Sequence, residues 1–169
     1  MIQKLKALFS SNNKHKPSKG AVAHTFEYSK IDDFISIGTN ACCVGHFDKK
    51  LLKEGVKADL SLDKEHIDQP FGVDYFLWIP ITDHHAPTQK QLEVAVQFLD
   101  TMKCEGLAVY IHCHEGHGRA PTVAAAYYIS QGKSVEEALE YIAKKRSTIH
   151  PNKKQIAALR AYEKSLKNK

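Results

Sequence analysis

The sequence predicts an α/β domain in which helices cover a central sheet. Short apolar runs rich in β-formers alternate with stretches whose apolar residues recur at helical spacing. Strands separated by helices give this layered architecture. Size agrees, since 169 residues suit one domain with its own core, burying ~70% of its extended-chain surface on folding.

The elements follow in order. Phe34-Ile35-Ser36-Ile37 reads as a strand ending at Gly38, and Phe47 to Lys53 as a short helix closed by Gly55. Val56 to Leu62 reads as a second strand, and Tyr75-Phe76-Leu77-Trp78-Ile79 as a buried-type strand stopped by Pro80. Thr88 with Gln91 forms a capping box, after which Leu92, Val96, Leu99 and Met102 line one helical face up to Gly106. Leu107 to Ile111 is again strand-like. Ala120 to Gln131 is helical and ends at Gly132, a suitable C′ residue. Ser134 and Glu137 form a second capping box with Val135, Leu139 and Ile142 as its apolar stripe. Ile156, Leu159, Tyr162 and Leu166 mark the last helix.

Composition narrows the class. With 43% hydrophobic and 25% charged residues, collagen, coiled coil and wholesale disorder are excluded. No apolar run approaches the ~18 residues of a membrane-spanning helix. The formal charge of +5, from 24 Lys and Arg against 19 Asp and Glu, suits an anionic substrate or surface without naming one. Cys42, Cys43, Cys104 and Cys113 do not read as a disulfide framework, because a domain this size needs no staple and adjacent cysteines lack regularly spaced partners. Buried small hydrophobes is the plainer reading of Cys42 and Cys43, a resolving thiol for Cys113 the sharper one. The opening MIQKLKALF is too short and too interrupted by lysines for a signal peptide, so a reducing, cytoplasmic setting is expected.

Residues 1–22 read as a basic flexible segment and 23–169 as the domain. Ile2, Leu5, Leu8 and Phe9 fall at helical spacing among Lys4 and Lys6. A weak contact of residues 1–20 with anionic membrane is the sharp reading; a frayed, solvated terminus is the plain one.

The chemistry concentrates in Val109 to Pro121, which reads Val-Tyr-Ile-His-Cys-His-Glu-Gly-His-Gly-Arg-Ala-Pro. A strand leads through a glycine-containing loop into a helix near Arg119, with Pro121 in its first turn. Such a loop aims backbone N–H groups and the positive helix end at one point, a natural anion site. Cys113 stands at its mouth. The same field favours a thiolate, and helix N-termini bring a thiol from ~8.5 to ~3.5–7.5. Arg119 arrives on the far side of the loop, where its planar fork can clamp two phosphate oxygens. A sulfur nucleophile under an anion cradle is machinery for attacking phosphorus.

His112-Cys113-x5-Arg119 resembles the signature of the cysteine-dependent protein tyrosine phosphatase superfamily, and the small size and flanking motifs resemble its dual-specificity branch, in an atypical single-domain form. The resemblance implies a mainly parallel central sheet flanked by helices, no cofactor and no metal. It implies a phosphocysteine on Cys113, phosphoryl oxygens held by Arg119 and the loop His114, Glu115, Gly116, His117 and Gly118, and an aspartic acid that protonates the leaving oxygen. Pro80-Ile81-Thr82-Asp83-His84-His85-Ala86-Pro87-Thr88 resembles the family's acid loop, which makes Asp83 the general acid, with Asp74 as fallback at the far end of the strand. Arg146-Ser147-Thr148-Ile149-His150-Pro151-Asn152, then Gln155 and Leu159, resembles a third family pattern, by which Asn152 buttresses the phosphate loop. His112 by the same likeness holds that loop in shape. One position departs: Ala120 stands where the family has a hydroxyl that eases departure of the cysteine thiolate. Thr122 is the candidate substitute, and slow hydrolysis of the intermediate is expected.

Plain readings compete at several positions. Asp83 could be a turn residue and Asn152 only a helix cap. His114 and His117 could be solvated. A zinc or copper site from His112, Cys113, His114, His117, His84 and His85 is the rival from another class, but the spacing matches no standard finger and leaves Arg119 facing a cation. The substrate expectation is a phosphorylated protein, at serine, threonine or tyrosine, or a small phosphate ester, met by a monomer without nucleic acid. The alternatives are a phosphatidylglycerophosphate-like lipid, an inositol phosphate or a phosphoglucan, and then a catalytically weak phosphobinding protein. Glu115 argues against the most highly charged phosphoinositides.

Overall fold

The computed structural model describes residues 26–43 and 45–168. The segment 1–22, with the membrane-contact reading on it, lies outside the described residues. Five strands form one sheet: β1 (Tyr28–Lys30), β2 (Ile35–Thr39), β3 (Val56–Asp63), β4 (Tyr75–Ile81) and β5 (Ala108–Cys113), in the order β1-β2-β5-β3-β4. Only β1 runs antiparallel, against β2; the other pairings are parallel. The mainly parallel sheet flanked by helices is therefore present.

Helices α1 (Lys49–Lys53), α2 (Gln89–Cys104), α3 (Arg119–Ser130), α4 (Val135–Ala143) and α5 (Lys153–Lys167) connect and cover the strands. Each is fixed by a local signal. Asp48 caps α1 by accepting from the Lys50 and Leu51 N–H groups, so this helix begins two residues later than its apolar pattern suggests. Complete capping boxes open α2 at Thr88 and Gln91, α4 at Ser134 and Glu137, and α5 at Asn152 and Gln155. Gly132 leaves α3 with φ of 98°, a left-handed turn that favours glycine.

Alternation along the strands feeds two cores. Val109, Ile111 and Cys113 of β5 join α2–α5 in the main core, while Tyr110 faces the other side with Phe47, Leu51, Val56 and the Cys42–Cys43 turn. α3 is buried along nearly its whole length, the pattern of a helix surrounded by protein. β4 differs from its reading. Tyr75, Phe76 and Trp78 are exposed because β4 is the sheet edge, and Pro80 lies inside the strand, where a missing N–H removes no ladder bond to a second neighbour. β1 was not visible in the pattern.

Thr39 pairs with Cys113, Ser61 with His112, and Asp63 with Ile81. The carboxyl ends of the four parallel strands thus share one edge of the sheet, where crevices of open α/β sheets take ligands.

Candidate active site

Cys113 ends β5 and lies at 3% exposure in a cavity at this edge. The chain then turns through His114–Gly118 into α3, which starts at Arg119. Gly116 sets the path of the loop. Its φ is +70°, and a Cβ there would come within 2.5 Å of the Gly38 carbonyl oxygen, so a side chain would meet both strain and a clash. Gly118 sits against Gln155, whose amide would lie 3.3 Å from an added Cβ.

Arg119 is 1% exposed and carries two kinds of donor. Nη1 donates to Glu65 Oε2 and to the Ile81 carbonyl, both at 2.7 Å, and stands 3.6 Å from Asp63 Oδ1. Nε and Nη2 are buried and make no hydrogen bond. Nη2 is 3.2 Å from Asp83 Oδ1, close enough for attraction but outside hydrogen-bond alignment. A cation in the first turn of a helix is unfavourable without an anion to balance it, and Glu65, Asp63 and Asp83 supply that balance. Burial works against the Arg119 charge, but the Glu65 hydrogen bond and the charges of Cys113, Asp83 and Glu65 outweigh it and raise its pKa. Burial likewise opposes ionisation of Glu65, but the Asp63 side chain, the Arg119 guanidinium and the Asp83 N–H hold its carboxyl far below the usual range.

Asp83 lines the same cavity, half exposed, with its N–H on Glu65 Oε1 at 3.0 Å. Its Oδ1 accepts from the His84 N–H at 2.9 Å, and His84 has φ of 57°. The chain therefore brings a sulfur, a guanidinium edge free of hydrogen bonds, the loop residues 114, 115, 117 and 118 and a carboxyl group around one cavity.

Residues 44–165 match the family described as dual specificity phosphatase, catalytic domain. The chain belongs to the dual specificity phosphatase family. It is 35% identical over 91 residues to rat dual specificity protein phosphatase 5, covering 53% of this chain and 24% of that protein. The chain thus spans about a quarter of that relative's length. It is 30% identical over 156 residues to human phosphatidylglycerophosphatase and protein-tyrosine phosphatase 1, covering 85% of this chain and 77% of the relative. The crystal structure of PTPMT1 in complex with PI(5)P superimposes with a TM-score of 0.71 at 27% identity, covering 83% of this chain and 97% of that one.

Within this member of the family the remaining motif residues fall in different places. His114, Glu115, His117 and Gly118 line the cavity; Gly116 does not, because it packs on β2. His114 Nδ1 is 3.3 Å from Asn40 Nδ2, and its ring stacks on His66. His117 stands 3.5 Å from Glu115 Oε2 and beside His150; burial, then the Arg146 cation, lowers its pKa. His112 is buried beneath the loop with Nε2 3.3 Å from Asp59 Oδ1, away from the cavity lining. Burial opposes its protonation, but Asp59 and Asp68 raise its pKa on balance. Asp74 opens β4 and pairs with Lys57, at the end of the strand opposite the cavity.

Three expectations need correction. The Asn152 hydrogen bonds run to the acid loop rather than to the phosphate loop: Nδ2 donates to the His84 carbonyl at 2.9 Å, while Oδ1 caps α5. Gln155 Nε2 holds the next carbonyl, His85, at 3.1 Å. The phosphate loop is instead braced by Arg146, whose Nε donates to Gly116 O and Nη2 to Glu115 O. The Thr122 hydroxyl donates to the Gly118 carbonyl at 2.7 Å and does not line the cavity, because a threonine inside a helix turns back to the preceding turn. Finally, Cys42 and Cys43 form a disulfide. Both are buried as expected, but neighbours on one turn need no regular spacing to pair.

Glu65, Asp63 and Arg146 are the site residues that the sequence reading did not assign. Arg146 lies inside the motif that ends at Asn152; Asp63 ends β3 and Glu65 follows it, with no local signal at either. Among the described residues, His84, His85, His112, Cys113, His114 and His117 form no group of three at ligand spacing. Among the described residues two other groups have ligand spacing, Asp63-His66-His114 and Cys42-Cys43-His112. In the first, Asn40 Nδ2 already donates to Asp63 Oδ2 at 2.7 Å.

Proposed function

We propose that the chain hydrolyses phosphate monoesters through a phosphocysteine on Cys113. The observation that carries this reading is the buried Nε and Nη2 edge of Arg119, which makes no hydrogen bond and meets only the Asp83 carboxylate, set beside Cys113 in the same cavity. Two adjacent donors without partners are costly to bury unless a ligand completes them, and their spacing suits two oxygens of a phosphoryl group. The Cys113 thiolate attacks phosphorus in line. The amides of 114–118 and Arg119 hold the three equatorial oxygens as charge moves onto them. Phosphate at the Arg119 edge releases Asp83 from its pull, and Asp83 protonates the leaving oxygen. Water then attacks the phosphocysteine with Asp83 accepting its proton, and phosphate leaves with the thiolate restored.

A phosphorylated protein, at tyrosine, serine or threonine, is the proposed substrate class. The second reading is a phospholipid monoester, favoured by the alignment over 85% of this chain with a relative named for phosphatidylglycerophosphate. No described helix is long and apolar enough to cross a membrane. A cytoplasmic location is part of the proposal.

A panel of phosphopeptides, phosphatidylglycerophosphate, inositol phosphates and phosphoglucan tests these readings. Cys113→Ser eliminates turnover on every member. Asp83→Ala costs ~10²–10⁴ in rate, the range of general acid catalysis; full rate on a poor leaving group would remove Asp83 from this role. Ala120 offers no hydroxyl and Thr122 is tied to Gly118, so rapid mixing should give a burst of product and then a slow steady rate. Absence of a burst, with fast release of phosphate, contradicts that expectation.

A further inference from the structure

We propose that the reduced Cys42–Cys43 pair, with His112 and Asp59, forms a zinc-binding site on the face of the sheet behind the phosphate loop. The sulfurs of Cys42 and Cys43 and a ring nitrogen of His112 already lie within 4.8 Å of one another, all three residues buried. Asp59 completes the set. Its Oδ1 is 3.3 Å from His112 Nε2, its Oδ2 is 3.7 Å from Cys43 Sγ, and Cys43 Sγ is 3.8 Å from His112 Nε2. Zinc bonds of ~2.0–2.3 Å in a tetrahedron place neighbouring donors ~3.3–3.8 Å apart. These three separations fall in that range, while the two sulfurs are bonded to each other and must part for both to bind one ion.

A second observation points to a cation independently of ligand spacing. Asp59 is fully buried, and its Oδ1 has no hydrogen bond. Asp63 has Asn40 and Arg119 as partners, and Asp68 has Ser61, but Asp59 faces only His112 and the Cys43 sulfur. The group that faces Asp59 Oδ1 is His112, at 3.3 Å and outside hydrogen-bond alignment, and a divalent ion between the two would balance the buried carboxylate more fully than the ring does.

Loading requires the dithiol. A small dithiol reductant gives up two electrons and two protons and becomes a disulfide, while the Cys42–Cys43 bond opens to two thiols. Zinc then displaces the two thiol protons and the proton that His112 Nε2 shares with Asp59, all released to solvent, and binds the neutral ring through Nε2 with the remaining proton on Nδ1. The ion would fix the ring of the residue that immediately precedes Cys113.

The test uses the full chain, reduced with a dithiol, freed of reductant without oxygen, and titrated with Zn²⁺ against a chromogenic chelator, then with Co²⁺. The expected result is one equivalent of metal, and a thiolate-to-cobalt charge-transfer band. The same protein kept oxidised takes up none, a comparison that requires no substitution. Cys42→Ser/Cys43→Ser loses both metal and band, and Asp59→Asn weakens binding about tenfold or more. His66→Ala and Cys113→Ser keep the metal. No uptake by the reduced chain overturns the proposal. So does uptake that survives Cys42→Ser/Cys43→Ser, or uptake lost with His66→Ala, which would assign the metal to the Asp63 group at the cavity rim.

Discussion

Arg119 and Arg146 are buried cations on two sides of the same loop, and their donors are used in opposite ways. Every nitrogen of Arg146 is engaged within the chain: Nε and Nη2 hold the Gly116 and Glu115 carbonyls, Nη2 also meets Glu27, and Nη1 reaches Ser29. Arg119 anchors one nitrogen on Glu65 and Ile81 and leaves its other edge without a hydrogen bond, facing the half-exposed Asp83. The first arrangement is a brace, complete in the folded chain. The second is complete only when an anion arrives. A buried cation therefore announces a ligand by which of its donors lack partners, and burial alone does not distinguish the two.

Arg119→Lys breaks the comparison at its functional end. A lysine can reach the Glu65 carboxylate but offers a point charge in place of two fixed donors. Loss of that edge should cost ~10²–10³ in kcat/KM, the worth of a transition-state donor, with little change in the unfolding midpoint. A rate near that of the parent would mean that the unpartnered edge does not meet the phosphoryl oxygens.

Arg146→Met should show the reverse profile. It leaves the Gly116 and Glu115 carbonyls without donors at a site only 4% exposed. Each acceptor so stranded costs about 1–3 kcal/mol, so denaturant unfolding should report a loss of roughly 2–6 kcal/mol for the two. The rate should fall less than in Arg119→Lys, about tenfold, through a loosened loop. Unchanged stability would show that the brace is dispensable and remove the contrast.

How much of this was legible follows the range of each interaction. Cys113 and Arg119 are six positions apart in sequence, joined by one turn, so spacing alone placed them together. The capping boxes at Thr88 and Ser134 are equally local, and both formed as read. Glu65 is 54 residues from Arg119 and meets it only because parallel β3 and β5 end at one edge, which no local pattern records. β4 was misjudged for a related reason: an apolar strand in sequence does not say whether it has one neighbour or two. β1 has three residues and one apolar ring, too short for a period to register. Asn152 was the right residue with the wrong contact, since a motif names a position while the fold decides which loop stands opposite it.

The smallest effect concerns the anchor that keeps the Arg119 edge in place. Glu65→Gln retains a hydrogen-bond acceptor for Nη1 and leaves the Ile81 carbonyl bond intact, so activity should fall only a few-fold. Its clearer signature is in pH. The folded-state pKa of Glu65 is held below its ordinary value, so its contribution to stability is present above about 4.5 and is lost as pH falls through the lowered value. The side chain is 39% exposed, and solvent screening keeps that contribution small. Urea midpoints of parent and Glu65→Gln should therefore differ at neutral pH and converge as the medium becomes more acidic than pH 4.5. A gap that stays constant across this range would mean that the Glu65 charge is not what steadies Arg119, and that packing or the Ile81 carbonyl alone sets the orientation of its unpartnered edge.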